Sequence, residues 1–539
     1  MWRQNYVPLF ASLPMSAVVA AFPVFVLLYL LGVRRRPAWE ASVFGLVAAA
    51  AVAVFVYQMP ISTMLSAAAY GAAFGLFPIG WVVFCAILLY RITVETGKFA
   101  IVKDSVGSLT SDRRLQALLI AFCFGAFIEG AAGFGTPVAV AAAMLTGLGF
   151  SPFYAAAICL LANTAPVAFG SIGTPLLTLN AVTGLPLERL SAAVGRICAP
   201  ISLIVPIYLI AVMGGRKAVK GVLPATLLCG GTFATTQFLV SNFVGPQLTD
   251  ILSSVMAIGS LVLLFRVWHC SDAFVLPGNH SPQSIPKRHT GRELWLAWSP
   301  YLTLVGLVLI WGVIKAELNR LTLVFSWPGL HGHVLQVPPV VSVPTPYKAI
   351  YRFEWLAAPG TACLVACIVA AFSLRVRLRR FASIFLQTVR QLVLSELTIA
   401  SVLGLAFLMN YSGATATLGL AFAATGRLFP FFSSLLGWLG VFLTGSDTSA
   451  NALFGNLQVV TARHLGLDPV LMAASNSSGG VMGKMISLQS IAVAAAATGM
   501  PVSDEAKLFR FTLRHSVILA SAIGLITLIY AYAVPTCVR

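Results

Sequence analysis

Residues 124–173 carry polar chemistry inside otherwise apolar sequence. Glu129-Gly130-Ala131-Ala132-Gly133-Phe134-Gly135-Thr136-Pro137 sets a carboxylate and three glycines there, followed by Asn163 and by Gly170-Ser171-Ile172-Gly173. A weaker echo occupies 444–489, with Asp447, Asn451, Asn476-Ser477-Ser478-Gly479-Gly480 and Gly483-Lys484. The acid-to-Asn spacing is 34 residues in the first copy and 29 in the second, and the Asn-to-Gly spacing is 7 in both. A carboxylate at mid-membrane depth costs a few kcal/mol, a cost it lowers by holding a proton. Glu129 and Asp447 are therefore candidate proton carriers, with helix capping as the alternative for Asp447. Lys484 calls for an anion, either one of these acids or the carboxylate of a bound ligand; the alternative is an ammonium snorkelling to the surface. Asn163, Asn451, Asn476, Ser477 and Ser478 offer donors and acceptors to a small polar ligand, or serve as glue between helices.

These side chains need unusual elements to position them. A break in a membrane helix exposes N–H and C=O groups that lipid cannot satisfy, so it is tolerated only in protein or beside a watery cavity. Each half-helix then offers a terminus to an ion. Gly133, Gly135, Gly170, Gly479, Gly480 and Gly483 permit such breaks and close approach of a ligand. Pro137 and Pro175 suit the first turn of a restarting helix, with Thr136 and Thr174 as N-caps and Ser171 lining the break. Interrupted segments in corresponding positions of two halves point to a transport site; tight packing of small residues is the competing explanation.

Composition sets the solvent. The chain is 59% hydrophobic and 9% charged with mean hydropathy +0.92, against about 25% charged in a globular protein. Apolar runs of about 20 residues recur, while the ~10-residue alternation of a membrane barrel is absent. The net charge of +18 sits in clusters between spans (Arg34-Arg35-Arg36, Arg216-Lys217-Lys220, 375–380), which read as topology signals and not as a nucleic-acid surface. The nine cysteines lie mostly in apolar runs without metal spacing, so no metal site, disulfide framework or cofactor is expected. No ATP-binding glycine loop is present. The N-terminus lacks the marks of a cleaved signal, so the first span is expected to stay.

About 12 membrane elements follow. Spans are expected at 14–32, 39–57, 61–90 (over-long), 191–213, 223–240, 252–267, 298–314, 356–374, 396–411, 416–429, 435–444 and 517–534. Interrupted segments lie at 115–150, 152–179 and 470–497. Residues 269–292 read as a cytoplasmic loop and 319–354 as an ordered outer loop with short strands near 335–343. Residues 381–394 read as an amphipathic surface helix, Glu396 as interfacial and 504–514 as a charged link. Repeat cores are assigned to 115–180 and 440–500 within one 539-residue integral membrane unit.

The segments beginning at Glu129, Asn163, Thr444 and Gly479, together with 508–515, resemble the bacterial L-lactate permease family. The loop 319–354 matches no pattern of that family. The resemblance implies an all-α polytopic membrane protein with two inverted repeats, re-entrant hairpins and broken helices, a scaffold and a moving transport domain. It implies proton-coupled uptake of L-lactate, glycolate or related 2-hydroxy monocarboxylates across the bacterial inner membrane, and not catalysis. Sodium-coupled carboxylate uptake is the alternative, and homo-oligomerisation stays open. In this reading Lys484 and half-helix N–H groups at Gly133 to Thr136 and Gly479 to Gly483 hold the carboxylate. The Asn and Ser groups hold the hydroxyl, and Glu129, with Asp447, takes the proton.

Overall fold

The computed structural model describes residues 1–133, 135–270, 274 and 289–534. Most of the loop expected at 269–292 lies outside the described residues. Among the described residues eleven helices are long and apolar enough to cross a membrane, and two bent pairs raise the number to 13. The apolar composition leaves little else to form, because only helices satisfy every backbone group within one lipid-crossing segment.

The interrupted segments form the same unit twice. In the first, the helix Gly125–Ala131 turns at Gly133 (φ 61°) and Gly135 (φ 79°) into the helix Thr136–Gly147. A bent pair follows, Pro152–Ala162 with Val167–Thr183, at 64°. In the second, Phe429–Thr444 turns at Gly445 (φ 71°) into Asp447–Leu465, followed by Pro469–Ile486 with Leu488–Thr498, bent by 42°. The units interlock. Thr136–Gly147 packs on Leu488–Thr498, and Asp447–Leu465 packs on Gly170–Thr183. The second arm of each hairpin thus lies against the last half-helix of the other unit.

The surrounding helices differ from the sequence reading in several places. Residues 381–394 are not a separate surface helix; Leu378–Ser412 is one helix of 35 residues. Arg390 and Gln391 lie on its exposed face, so the polar stripe does not end it. Glu396 is mid-helix and half-buried, its carboxylate against Gly80. The charged link at 504–514 is the opening of the helix Val502–Tyr532. The over-long run at 61–90 is one span, Ile61–Glu95, broken at Phe77 (φ −145°).

The segment 319–354 carries short strands at Leu323–Ser326, Val334–Gln336, Thr345–Pro346 and Ile350–Phe353. One of them falls in the expected 335–343 window. An N-terminal strand, Trp2–Arg3, pairs in parallel with Val334 and Leu335. Gln4 Nε2 donates to the carbonyls of Asn410 (3.0 Å) and Tyr411 (2.8 Å), tying this sheet to the end of the 35-residue helix.

Candidate functional site

The first break holds its shape through left-handed residues. Ser171 (φ 46°), Ile172 (φ 56°) and Gly173 (φ 76°) form a consecutive left-handed run. For a β-branched residue such as Ile172 this conformation is an outlier, at a cost of about 1–2 kcal/mol. The surroundings hold it there: Ser171 Oγ donates to Ala132 O (3.0 Å), and Thr174 Oγ1 donates to Ser171 O (2.6 Å). Neither threonine is an N-cap. Gly135 takes that position before Thr136, and Thr174 Oγ1 accepts no backbone N–H among the described residues.

Glu129 sits in the crook of this break, 4% exposed, and its Oε2 has no hydrogen-bond partner. A methyl group built on Gly170 would approach Glu129 Oε1 to 2.6 Å, whereas one on Gly133 would collide with Ser171 Oγ. The space left by Gly170 is therefore the space the carboxylate occupies. Asn163 is buried beside Glu129, with neither amide atom in a hydrogen bond of good geometry.

In the second unit Ser446 caps the helix, its Oγ accepting from Ser449 N, which leaves the side chain of Asp447 available. Asp447 Oδ2 accepts from Ser477 Oγ (2.6 Å) and Asn451 Nδ2 (3.3 Å), while Oδ1 has no partner. Behind it, Asn476 Nδ2 donates to Asn451 Oδ1 (2.9 Å) and Gln458 Nε2 donates to Asn476 Oδ1 (3.1 Å). These groups hold the acid from the rear.

Lys484 lies at the second break, 9% exposed, and its ammonium donates to Gly445 O at 2.7 Å. Its charge acts on both Glu129 and Asp447. A cavity of about 140 Å³ is lined by all three, together with Gly135, Gly170, Ser171, Thr174, Gln489 and Ser490. Its far wall comes from Leu27, Leu31, Ser42, Thr398 and Val402.

Part of the expected ligand set lies elsewhere. Asn163, Asn451, Asn476, Ser477, Ser478, Gly133 and Thr136 are outside the cavity lining. Gly479, Gly480 and Gly483 are inside the continuous helix Pro469–Gly483, so their N–H groups are not loose half-helix donors. They allow close packing instead. Gly479 and Gly483 abut the Ser434 and Trp438 backbone, and Gly480 abuts Asp447, as small residues four apart do between membrane helices.

Sequence reasoning missed several groups. Gln489 and Ser490 stand within the segment singled out at 479–490, so attention to its end finds them. Thr398 and Ser42 carry no local signal. Asp250 stands just before the expected span 252–267, and nothing in the local sequence marks it as buried. It is 1% exposed, and neither carboxylate oxygen has a partner.

Comparison with known proteins finds relatives along nearly the whole chain. The family model described as L-lactate permease matches residues 16–534. The chain is 46% identical to the glycolate permease GlcA of Escherichia coli K12, covering 98% of each chain. It is 45% identical to the L-lactate permease of Bacillus subtilis 168, again over 98% of each. Among solved structures, the YdaH transporter of Alcanivorax borkumensis aligns over 86% of both chains with a TM-score of 0.46 and 14% identity. This is a multi-pass protein of the bacterial inner membrane, and the chain belongs to the L-lactate permease family.

Proposed function

We propose that this protein is a secondary transporter that takes up lactate, glycolate or a similar 2-hydroxy monocarboxylate together with a proton. The observation that carries this reading is the single cavity lined by Glu129, Asp447 and Lys484. Its volume of about 140 Å³ is roughly ten times the space needed for one water, which suits a small anion. The names of the relatives, lactate and glycolate permeases, narrow the substrate to that class and favour a carrier over an enzyme.

Lys484 meets the substrate carboxylate with a charge-assisted bond. Ser171, Gln489 and Ser490 supply the polar groups nearest the hydroxyl. Glu129 binds the proton. Substrate anion and proton then enter as a neutral pair, and the net charge of the cavity does not change. This matters because moving an anion inward against a negative interior costs about 2.3 kcal/mol per 100 mV. The two repeat cores, 115–180 and 440–500, move as the transport domain against the wall formed by Leu13–Gly32 and Leu378–Ser412.

The sodium-coupled alternative lacks a supporting observation. Asn163 and Asn476, the side-chain amides such a site would draw on, are outside the cavity lining, and Asn476 Oδ1 is occupied by Gln458.

The test is uptake of labelled L-lactate into proteoliposomes under an imposed pH gradient. Wild type should accumulate lactate with choline in place of sodium. Glu129→Gln should lose accumulation and keep counterflow exchange. Full accumulation by that variant removes Glu129 from the mechanism, and chemically altered lactate points to an enzyme.

A further inference from the structure

A second, larger cavity adjoins the one described above. Its volume is about 930 Å³, against about 140 Å³ for the first. The two share the wall residues Leu31, Ala38, Thr444, Gly445 and Gln489. Lys484 lines the smaller cavity, yet its ammonium donates to Gly445 O at 2.7 Å, so the cation stands at the shared wall. Gln489 is exposed there, and a methyl on Gly445 would come within 2.6 Å of its Oε1.

Charge sets the larger cavity apart. Arg35, Arg36 and Arg510 line it, against one acid, Glu505. All three arginines are exposed. Arg36 lies 3.7 Å from Glu40, while Arg35 and Arg510 form no ion pair within 4.0 Å among the described residues. A guanidinium with free N–H groups matches a carboxylate with two parallel bonds, and a cleft lined by one sign of charge concentrates the opposite ion. Arg35 is left-handed, with φ 51°, a conformation that glycine adopts without strain and arginine does not. The turn is fixed by Arg36 N, which donates to Leu30 O at 2.8 Å. The strand Trp2–Arg3 pairs with Val334 and Leu335 before Leu13–Gly32 begins, and Arg35 follows that helix at its other end. The larger cavity therefore lies at the end away from those strands.

We propose that this cavity is the cytoplasmic vestibule of the substrate cavity, a second and transient site where Arg510 and Arg35 bind the transported carboxylate after it leaves Lys484. This rests on the lactate-transport reading above. The positive-inside rule places the face that carries Arg34-Arg35-Arg36 in the cytoplasm. An anion leaving Lys484 then passes Gln489 and exchanges one charge-assisted bond for another. An exposed, hydrated arginine holds an anion more weakly than a nearly buried lysine does, so the second site hands the substrate on to water. Attraction strong enough to draw the anion in and weak enough to let it go is what passage through successive sites requires.

The experiment uses the full chain in bacterial membrane vesicles, inside-out and right-side-out, and follows exchange of labelled L-lactate against saturating lactate on the far side. Exchange needs no pH gradient, so it does not depend on which residue carries the proton. Arg510→Gln is expected to raise the half-saturating lactate concentration at least threefold in inside-out vesicles and less than twofold in right-side-out vesicles. Arg510→Lys, which keeps the charge, should shift it less than twofold on either face. Raising salt from about 0.05 to about 0.5 M should weaken wild type in the same one-sided way, and Arg510→Gln should respond less. Equal shifts on both faces, or no shift on the inner face, overturn the proposal. If Arg510→Gln does not reach the membrane, Arg35→Gln, on an exposed turn, decides by the same two measurements. An anionic lipid headgroup offers the same chemistry as the substrate, so the one-sided shift must persist in vesicles reconstituted with phosphatidylcholine alone; its disappearance there makes the arginines a lipid site and overturns the proposal. Failure of the underlying reading looks different, since wild type itself would then exchange no lactate from either face.

Discussion

Ser477 donates a 2.6 Å hydrogen bond to Oδ2 of Asp447, while Oδ1 of the same carboxylate is left without a partner. One side of the acid is thus fixed by the protein, and the acid lines the cavity. A hydrogen bond to a charged group contributes about 1.5–3 kcal/mol. Ser477→Ala should therefore slow lactate uptake by about tenfold or more if Asp447 works as the anion. The same change made on top of Asp447→Asn should cost far less, because the charged acceptor is already gone. Uptake rates of the two single variants and the double variant measure that coupling; additive losses would mean that Ser477 acts independently.

Lys484 is nearly buried and spends one donor on Gly445 O, leaving two for an incoming carboxylate. Lys484→Ala should weaken L-lactate binding by about 10- to 100-fold, the equivalent of 1.5–3 kcal/mol. Lys484→Arg should not restore it, because a rigid planar fork does not fit where a compact ammonium sat. Titration calorimetry of the detergent-solubilised protein reads both. Unchanged affinity in Lys484→Ala would leave the substrate carboxylate without its main partner.

Much of this site was legible because it breaks local rules. Acids, amides and glycines inside apolar sequence single out Glu129, Asp447 and Lys484, and the cavity unites them. The repetition of hairpin and bent pair follows from the same spacing. What stayed hidden depends on distant contacts. The wall residues Leu27 and Thr398 stand 371 positions apart in the chain yet line one cavity, and nothing local marks them. Asp250 looks like a boundary acid until Gly130 is seen packed on it. Gly479 and Gly483 mislead in the other direction. Glycine spacing that permits a break also permits close helix packing, and only the position of Ser434 distinguishes the two.

Gly170 separates side-chain space from backbone freedom. Its φ is −61°, a value any residue adopts, yet a methyl there meets Glu129 Oε1 at 2.6 Å. Gly170→Ala should leave a folded protein, at an overpacking cost of about 1–3 kcal/mol, and reduce lactate uptake at least tenfold by displacing the carboxylate. Gly184 is the control. It has φ 69° with open space around it, so Gly184→Ala adds about 1–2 kcal/mol of strain and should keep transport. Equal transport loss in both variants would show that strain, not the space beside Glu129, is what uptake senses.

Gly479 tests whether the second glycine cluster is packing or ligand site. A methyl built there would meet backbone, with Ser434 C and Cα each at 2.6 Å. Backbone cannot move aside as the end of a side chain can, so the helices Phe429–Thr444 and Pro469–Gly483 would have to separate. Larger residues forced into such an interface cost about 1–3 kcal/mol and occasionally more. Gly479→Ala should therefore lower the melting temperature in detergent by several degrees, while lactate affinity of the surviving folded fraction stays within about twofold. Gly466→Ala, at φ 69° with nothing around it, should shift the melting temperature less, since its cost is local strain without helix separation. If Gly479→Ala instead keeps full stability and loses lactate binding, the glycine faces the ligand and the packing account of 479–483 is wrong.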